Sequence, residues 1–352
     1  MKGMILAAGF GTRFQPVTYT TPKPMVPVCN RPLVAYAAEA LLAAGVTDLI
    51  VNLHHLPDPI ERYLRSTFGS RAKLFFSREA EILGTGGGVR KVRSLLESED
   101  DFLLVNGDTI QRPPFEELLG NRRERDHLAT LTLRHPPKGD RFTSIYFDRG
   151  VITGIGSGTG EPLMFSGSHA ISRRIFEGLP NRDFSGITDD VYAPALKEGS
   201  ETIGGVIHDG VWFDIGTPLR YLQASTAMTR LIVDGKLEVP NGSRVDKSSR
   251  SIAAADARIE GEVEDSVIGN DSSVERETRI LDSSLWDGCR IGRGCSIKSS
   301  VIDHGVVVPA GMTIANALVS RVTHALPPDH GFRVTRELVV APIDPGQPLI
   351  VE

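Results

Sequence analysis

Over the first 230 or so residues, short apolar runs alternate with amphipathic stretches. The runs at 4–8, 49–53, 73–76 and 102–106 are four or five residues long and apolar nearly throughout, the signature of strands buried on both faces. Between them, near 31–44, 58–67, 86–96 and 114–125, apolar residues recur at helical spacing. Asn30 is placed to cap the first of these helices and Pro32 to fill its first turn. Strands that alternate with helices predict an α/β fold, with a Rossmann-like, mostly parallel sheet, helices on both faces and right-handed crossovers. Further strands near 127–133, 143–147, 163–171 and 203–207 extend the sheet, and a helix near 217–230 closes the domain. Residues 233–250 are polar and turn-rich and read as a linker.

The pattern then changes period. Cut into blocks of 17, residues 264–314 align Ile268 with Leu285 and Ile302, Val274 with Ile291 and Val308, and Ile280 with Ile297 and Ile314. Within each block the aliphatics fall six apart, with small or polar residues and glycine between them. One inward aliphatic per six residues, three times per coil, is the pattern of a triangular parallel β-helix. Ala257 and Val263 extend it backwards by one weaker coil. A stack of about four coils is short and has open strand edges, so it is expected to lean on the first domain or on another subunit. Residues 316–352 show no period and are assigned as a tail or cap.

Composition narrows the classes. Forty per cent apolar and 24% charged residues describe an ordinary globular chain, and a net charge of -5 gives no basic face for nucleic acid. No apolar run approaches the roughly 18 residues of a membrane helix, and the start is too short and broken for a signal peptide. Three cysteines without CxxC spacing fit a reducing cytoplasm.

The candidate chemistry begins where the first strand breaks into Gly9-Phe10-Gly11-Thr12-Arg13. Glycines after a strand at the carboxyl edge of a parallel sheet let backbone N–H groups approach phosphate oxygens. The planar fork of Arg13 can grip two such oxygens. Pro22, Pro24 and Pro27 are expected to hold the following segment extended and so to aim Lys23. The bland alternative is a tight turn with two surface cations. Phe14 stands where a dinucleotide fingerprint needs glycine, and no Walker loop is present. Asp108 in LLVNGDT and Asp214 in WFDIGTP each follow a strand, where a carboxylate either caps a helix or holds Mg²⁺. In GTGGGVRKV, residues 84–92, glycines open a helix as they would beside a ligand. Glu79 precedes it, as a surface charge or an acceptor for a base.

Leu6-Ala-Ala-Gly-Phe-Gly-Thr-Arg13, followed by Thr21-Pro-Lys-Pro24, resembles the sugar-1-phosphate nucleotidyltransferase family over about residues 1–230. The resemblance implies Mg²⁺-dependent attack of a sugar 1-phosphate on the α-phosphate of an NTP, giving NDP-sugar and pyrophosphate. It implies nucleotide binding by Leu6, Ala7, Ala8, Gly9, Gly11, Thr12, Arg13, Lys23, Glu79, Thr85 and Gly86. Arg13, Lys23 and Asp108 would be catalytic, with Asp108 and Asp214 on the metal. Asn106, Gly107, Ser166 and Gly167 would meet the sugar phosphate. The lysine that many relatives carry in Glu-Lys-Pro is missing, because only Glu161-Pro162 remains, and Lys138 and Arg141 are candidates to replace it. That absence and the FSG at 165–167 resemble N-acetylmuramate-1-phosphate uridylyltransferases. The appended β-helix, left-handed in relatives, resembles mannose-1-phosphate guanylyltransferases. A bidentate Glu79 suits the two adjacent donors of guanine, and the reading leans to GTP and mannose 1-phosphate.

The expected organisation is therefore a catalytic domain over 1–232, a linker over 233–250, a left-handed β-helix over 251–315 and a cap over 316–352. A cytoplasmic homo-oligomer assembled through the β-helix is expected, without nucleic acid or membrane. Two other readings keep the fold: a regulatory or scaffold subunit without catalysis, and an added acyltransferase using His304. Trp212, Trp286 and Cys29 read as packing residues, and Asp189-Asp190 as a helix start.

Overall fold

The computed structural model describes residues 1–137, 139, 142–321, 326–327, 331–335 and 337–352. The chain divides into two units: Met1–Phe10 with Val34–Trp212, and Gly11–Leu33 with Phe213–Glu352.

The first unit is built on a nine-stranded sheet. Its strands are β1 Lys2–Leu6, β2 Asp48–Leu53, β3 Lys73–Arg78, β4 Asp101–Asn106, β5 Ala129–Arg134, β6 Ile145–Asp148, β7 Val151–Ile155, β8 Glu161–Ser172 and β9 Ile203–Ile207. Their order is β3-β2-β1-β4-β8-β5-β9-β7-β6. β1 pairs in parallel with β2 and β4, and β2 with β3. β8 runs antiparallel to β4 and β5. β7 lies outside the expected strands. Helices α1 Leu33–Ala43, α2 Pro57–Phe68 and α3 Gly84–Lys91 connect the parallel strands, and α4 Phe115–Glu124 precedes β5. In α2, Ile60, Leu64 and Phe68 recur every fourth residue and are buried. Glu61 and Arg65 pair across one turn on its exposed face. The chain winds outward from β1 to β2 and β3, then returns to place β4 on the other side of β1. That reversal leaves a crevice at the carboxyl ends of β1 and β4.

In the second unit the three aliphatic columns are stacked in register. One runs Ala253, Ile268, Leu285, Ile302, Val319. The second runs Ile259, Val274, Ile291, Val308, and the third Val263, Ile280, Ile297, Ile314. Ile259, not Ala257, is the partner of Val274: the corner to Val263 is shortened, and Ala257 is buried beside it. Small polar residues at the corners have a defined task. The Oγ of Ser266 accepts from the Ser283 N–H at 3.0 Å, Ser283 from Ser300 at 3.1 Å, and Ser300 from Ala317 at 3.2 Å. Each buried hydroxyl thus satisfies a backbone donor of the next coil.

Both ends of one face are closed by antiparallel strands. Ser243–Asp246, inside the expected linker, pairs with Ser251–Ala254. Leu338–Pro342 pairs with Ala317–Arg321, and Ile350–Val351 closes a second face on Thr313–Ala315. Leu338, Val340 and Val351 enter the aliphatic core, so the tail covers open edges.

Residues 11–33 and helix α5, Pro218–Val233, group with this unit and not with the sheet, against the expected boundary at 232. The reason lies in long-range bonds. Asn30 does not cap α1. Its backbone is left-handed, with φ 62°, and its side chain donates to the Ile268 carbonyl at 3.0 Å. α1 starts at Leu33, past Pro32. Among the described residues no helix is long and apolar enough to cross a membrane.

Ile297 is buried between Ile280 and Ile314. Ile297→Ala is expected to destabilise the β-helix by about 3 kcal/mol, measured as a shift in urea unfolding.

Candidate active site

At the crevice of the first unit, β1 continues into buried Ala7 and Ala8 and exposed Gly9 and Phe10. The Ala7 N–H donates to Asn52 Oδ1 at 2.8 Å. The Asn52 amide donates in turn to Glu79 Oε1 at 2.8 Å, and the Leu83 N–H donates to Glu79 Oε2 at 3.1 Å. Glu79 is 5% exposed, not a solvated surface charge. Its two carboxylate oxygens brace the turn after β1 and the start of α3. Asn52 was missed by sequence reasoning. Its one signal is an amide inside the apolar run LIVNL.

α3 begins at Gly84 and includes Thr85 and Gly86. The glycines admit a close approach, but of the chain itself. A Cβ at Gly84 would lie 2.4 Å from the Ser185 carbonyl oxygen, and one at Gly87 2.4 Å from that of Asp183. The Gly86 N–H donates to Ser185 O at 2.8 Å, and Thr85 Oγ1 accepts from Ile187 N–H at 2.8 Å. Asp190, inside the helical turn Thr188–Tyr192, accepts from the Gly186 N–H at 2.7 Å. A cleft of about 700 Å³ opens here, with Thr85, Arg182, Phe184 and Asp189 in its walls.

β4 ends at Asn106, and Gly107 and Asp108 follow it. The Gly107 N–H donates to Leu6 O at 2.9 Å, which joins this turn to the one after β1. Asp108 is half-buried at the tip. Asn106 lies against Gly167, where a Cβ would meet its Nδ2 at 2.9 Å and φ is 101°. The pairing of β8 with β5 shifts register between Phe165 and His169. Ser166 and Gly167 sit in that irregularity, a usual device for re-aiming a strand beside a site. The Ser166 carbonyl accepts from Trp212 Nε1 at 2.8 Å, and Ser166 Oγ donates to Thr132 O at 3.1 Å. Leu6, Ala7, Ala8, Gly9, Asn106, Gly107 and Asp108 therefore gather where β1 and β4 end, with Ser166 and Gly167 beside them at the irregularity in the middle of β8. Glu79 joins them through Asn52. Glu161 pairs with His135 at 3.0 Å, and Asp209 is on the other ring nitrogen. Those carboxylates, Asp209 first, raise the pKa of this exposed imidazole.

The second unit holds the remaining predicted residues. Gly11 is left-handed at φ 65°, and a Cβ there would be 3.0 Å from Lys23 Cβ and Thr18 Cγ2. Thr18 Oγ1 donates to Gly11 O at 3.0 Å. Thr12, Arg13 and Phe14 form one 3₁₀ turn, with Thr12 and Arg13 exposed and Phe14 buried. Lys23 is 7% exposed and starts another 3₁₀ turn, Lys23–Met25, where an extended run was expected. Pro24 can occupy a first helical turn as readily as an extended position, since only its own N–H is lost. Asp214 ends the strand Trp212–Asp214 and forms a close ion pair with Arg220. Gly216 packs on both Asp214 and Arg13: a Cβ would meet Asp214 Oδ2 at 2.9 Å and Arg13 Nη1 at 3.2 Å. Among the described residues no group of three or more His, Cys, Asp or Glu side chains could cage a metal. A Mg²⁺ ion needs only one or two protein carboxylates and completes its shell with water and phosphate oxygens; Asp108 is such a carboxylate in the first unit and Asp214 in the second. Lys138 and Arg141 lie outside the described residues.

Residues 2–154 match the family model described as Nucleotidyl transferase, and residues 236–321 the one described as GlmU-like, C-terminal hexapeptide. The chain thus carries a nucleotidyl transferase domain, followed by a hexapeptide region of parallel coils. Mannose-1-phosphate guanyltransferase of Gibberella zeae is 30% identical over 238 residues, 64% of this chain and 63% of the relative. The protein of that name from Eremothecium gossypii is 30% identical over 232 residues, 63% of each chain. The matched region thus spans less than two thirds of these relatives. HddC from Yersinia pseudotuberculosis, also solved complexed with GMP-PN, shares the fold. The TM-scores are 0.54 and 0.55 at 24% identity, over 64% of this chain and 99% of that one.

Glu79→Gln leaves one donor facing a donor, Asn52 Nδ2 or the Leu83 N–H. It is expected to cost about 2 kcal/mol, read from urea unfolding. His169, beside the irregularity in β8, is buried and bonded to the Tyr192 hydroxyl at 3.0 Å. Burial lowers its pKa from 6.5 to about 3. The unfolded chain therefore takes up the proton first as pH falls. The stability this group contributes is whole above 6.5 and declines from there towards 3. Relative to His169→Gln, the wild-type chain is expected to lose about 2 kcal/mol between pH 7 and pH 5, measured by urea titration at both values.

Proposed function

We propose that the chain transfers a nucleotidyl group from GTP to mannose 1-phosphate, releasing pyrophosphate. One observation carries the reaction class. The end of β1, from which the glycine-rich turn departs, is bonded to the Gly107-Asp108 turn after β4 at the switch point of the parallel half of the sheet. The names of the relatives support the choice of GTP and mannose 1-phosphate. Glu79 is buried, and its oxygens accept from Asn52 and Leu83, so it braces the chain and is not counted as evidence for guanine.

In this reaction a phosphate oxygen of the sugar attacks the α-phosphorus. The bond from that phosphorus to the bridging oxygen breaks, and the electron pair leaves on pyrophosphate. The nucleophile is already an anion, so positioning and charge neutralisation remain as the work of the protein. On this reading the backbone of Ala8, Gly9 and Gly11 holds the triphosphate. Thr12 and Arg13 hold the departing pyrophosphate, and Lys23 offsets charge at the α-phosphate. A buried ammonium gains most from an anion brought to it. Asn106, Gly107, Ser166 and Gly167 hold the sugar phosphate, and Thr85 and Gly86 shape the wall beside the base. Asp108 and Asp214 would hold Mg²⁺, whose contribution when bound is to neutralise phosphate charge. The protein would work in the cytoplasm as a homo-oligomer joined through the β-helix, without nucleic acid or membrane.

The test is pyrophosphate release with Mg²⁺, across GTP, UTP, dTTP, ATP and CTP against common sugar 1-phosphates. Turnover is expected with GTP and mannose 1-phosphate, falling at least about 100-fold in Asp108→Asn. Turnover with UTP instead would move the substrate to the uridylyl branch. Silence in every combination, with nucleotide still bound, would favour a regulatory subunit.

A further inference from the structure

The β-helix reaches the Arg13 loop through a chain of buried rings. Phe14, Tyr221 and Trp286 are among the largest fully buried side chains of the protein. Phe14 meets Tyr221 edge-on with centroids 5.6 Å apart, and Tyr221 meets Trp286 at 5.8 Å. His304, one coil further, lies 5.1 Å from Trp286. Packing alone would call only for apolar surface. The Tyr221 hydroxyl shows more than that. It donates to Pro27 O at 2.7 Å, accepts from Trp286 Nε1 at 2.8 Å, and lies 2.8 Å from Ser284 Oγ. One donor and two lone pairs are then all in use.

Each of these bonds bears on a residue of the proposed reaction. Phe14 shares its 3₁₀ turn with Thr12 and Arg13. Pro27 follows the Lys23–Met25 turn by two residues, and Asn30 is bonded to the Ile268 carbonyl of the β-helix. Cys29 is buried against α5, with its thiol 3.5 Å from Thr229 Oγ1, and burial pushes that thiol up to about 12. Arg220, next to Tyr221 in the first turn of α5, holds Asp214. That turn is fixed by Thr217, whose Oγ1 accepts from the Arg220 N–H at 3.3 Å. One helical turn thus places both Asp214 and the loop of Arg13 and Lys23, and Trp286 of the β-helix fixes that turn.

We infer that the β-helix is part of the catalytic apparatus, with Trp286 and Tyr221 as positioning residues that hold the Arg13 loop and Asp214 in register for the pyrophosphate. This inference rests on the proposed nucleotidyl transfer. The test compares the full-length chain with Tyr221→Phe, Trp286→Phe and the double variant. Ile297→Ala serves as a control that loosens the same β-helix away from the ring chain. Each single phenylalanine variant keeps a ring and loses the bonds of the hydroxyl or the indole N–H.

Each is expected to lower kcat and weaken inhibition by pyrophosphate about tenfold, since small misplacements of binding groups cost that much or more. The KM for sugar 1-phosphate should stay within about twofold, because its proposed contacts lie in the other unit. The double variant should be no worse than Tyr221→Phe, as both act through one hydroxyl. Ile297→Ala should lower the unfolding midpoint and leave kcat in place. Variants that follow Ile297→Ala, less stable yet equally active, would overturn the inference alone. If the wild-type chain shows no turnover, the proposed function fails, and calorimetry with Mg²⁺ and pyrophosphate decides the positioning role. There a tenfold weaker affinity in Tyr221→Phe supports it and equal affinity overturns it. A wild-type chain that binds no pyrophosphate overturns both.

Discussion

Where β1 ends, the Leu6 carbonyl accepts from the Gly107 N–H at 2.9 Å, and a Cβ on residue 107 would stand 2.8 Å from the same oxygen. Two strands that share a ladder must part at their carboxyl ends if a crevice is to form. Here they part only after this bond, and only a glycine lets the second chain pass so close. The consequences radiate through the first unit. Ala7 is held by Asn52, Asn52 by Glu79, and Glu79 by the first turn of α3. On the other side Asn106 rests on Gly167, inside the irregularity of β8. The candidate residues of this unit are thus positioned through backbone bonds and buried amides, groups with little freedom to move.

The second unit solves its placement problem by other means. Its loop has three short 3₁₀ turns and no strand ladder of more than two residues. Such a segment has too few internal bonds to hold itself against chain entropy. Aromatic area and a saturated hydroxyl supply the restraint. A buried hydroxyl with every site satisfied is directional in a way that apolar contact is not, because moving either partner strands a polar group.

The 17-residue columns were legible because each inward residue repeats at fixed spacing, and stacked coils have one register. The parallel strands were legible because strands buried on both faces read as unbroken apolar runs. Ile259 escaped because a shortened corner shifts the column by two positions without changing the apolar pattern. Asn52 and Glu79 lie 27 residues apart, and nothing local in either marks the other. Tyr221 and Trp286 are 65 apart, and each read alone is only a large residue suited to a core. The glycines of α3 are the pattern expected beside a ligand, and a glycine pattern does not say what comes close. What approaches is the segment 183–185 of the chain itself.

Two of the closing strands of the β-helix, Leu338–Pro342 and Ile350–Val351, follow the coils in sequence. Parallel coils form in sequence order, each templated by the one before, so the stack can grow as the chain is synthesised. Until residues 338–351 emerge, the coil at Ala317–Arg321 presents a bare edge able to recruit any extended chain. At ordinary elongation rates that interval lasts on the order of a few seconds. The tail therefore works as a stop signal in time as well as a cover in space, and a chain cut short before it would be born with a permanently sticky end.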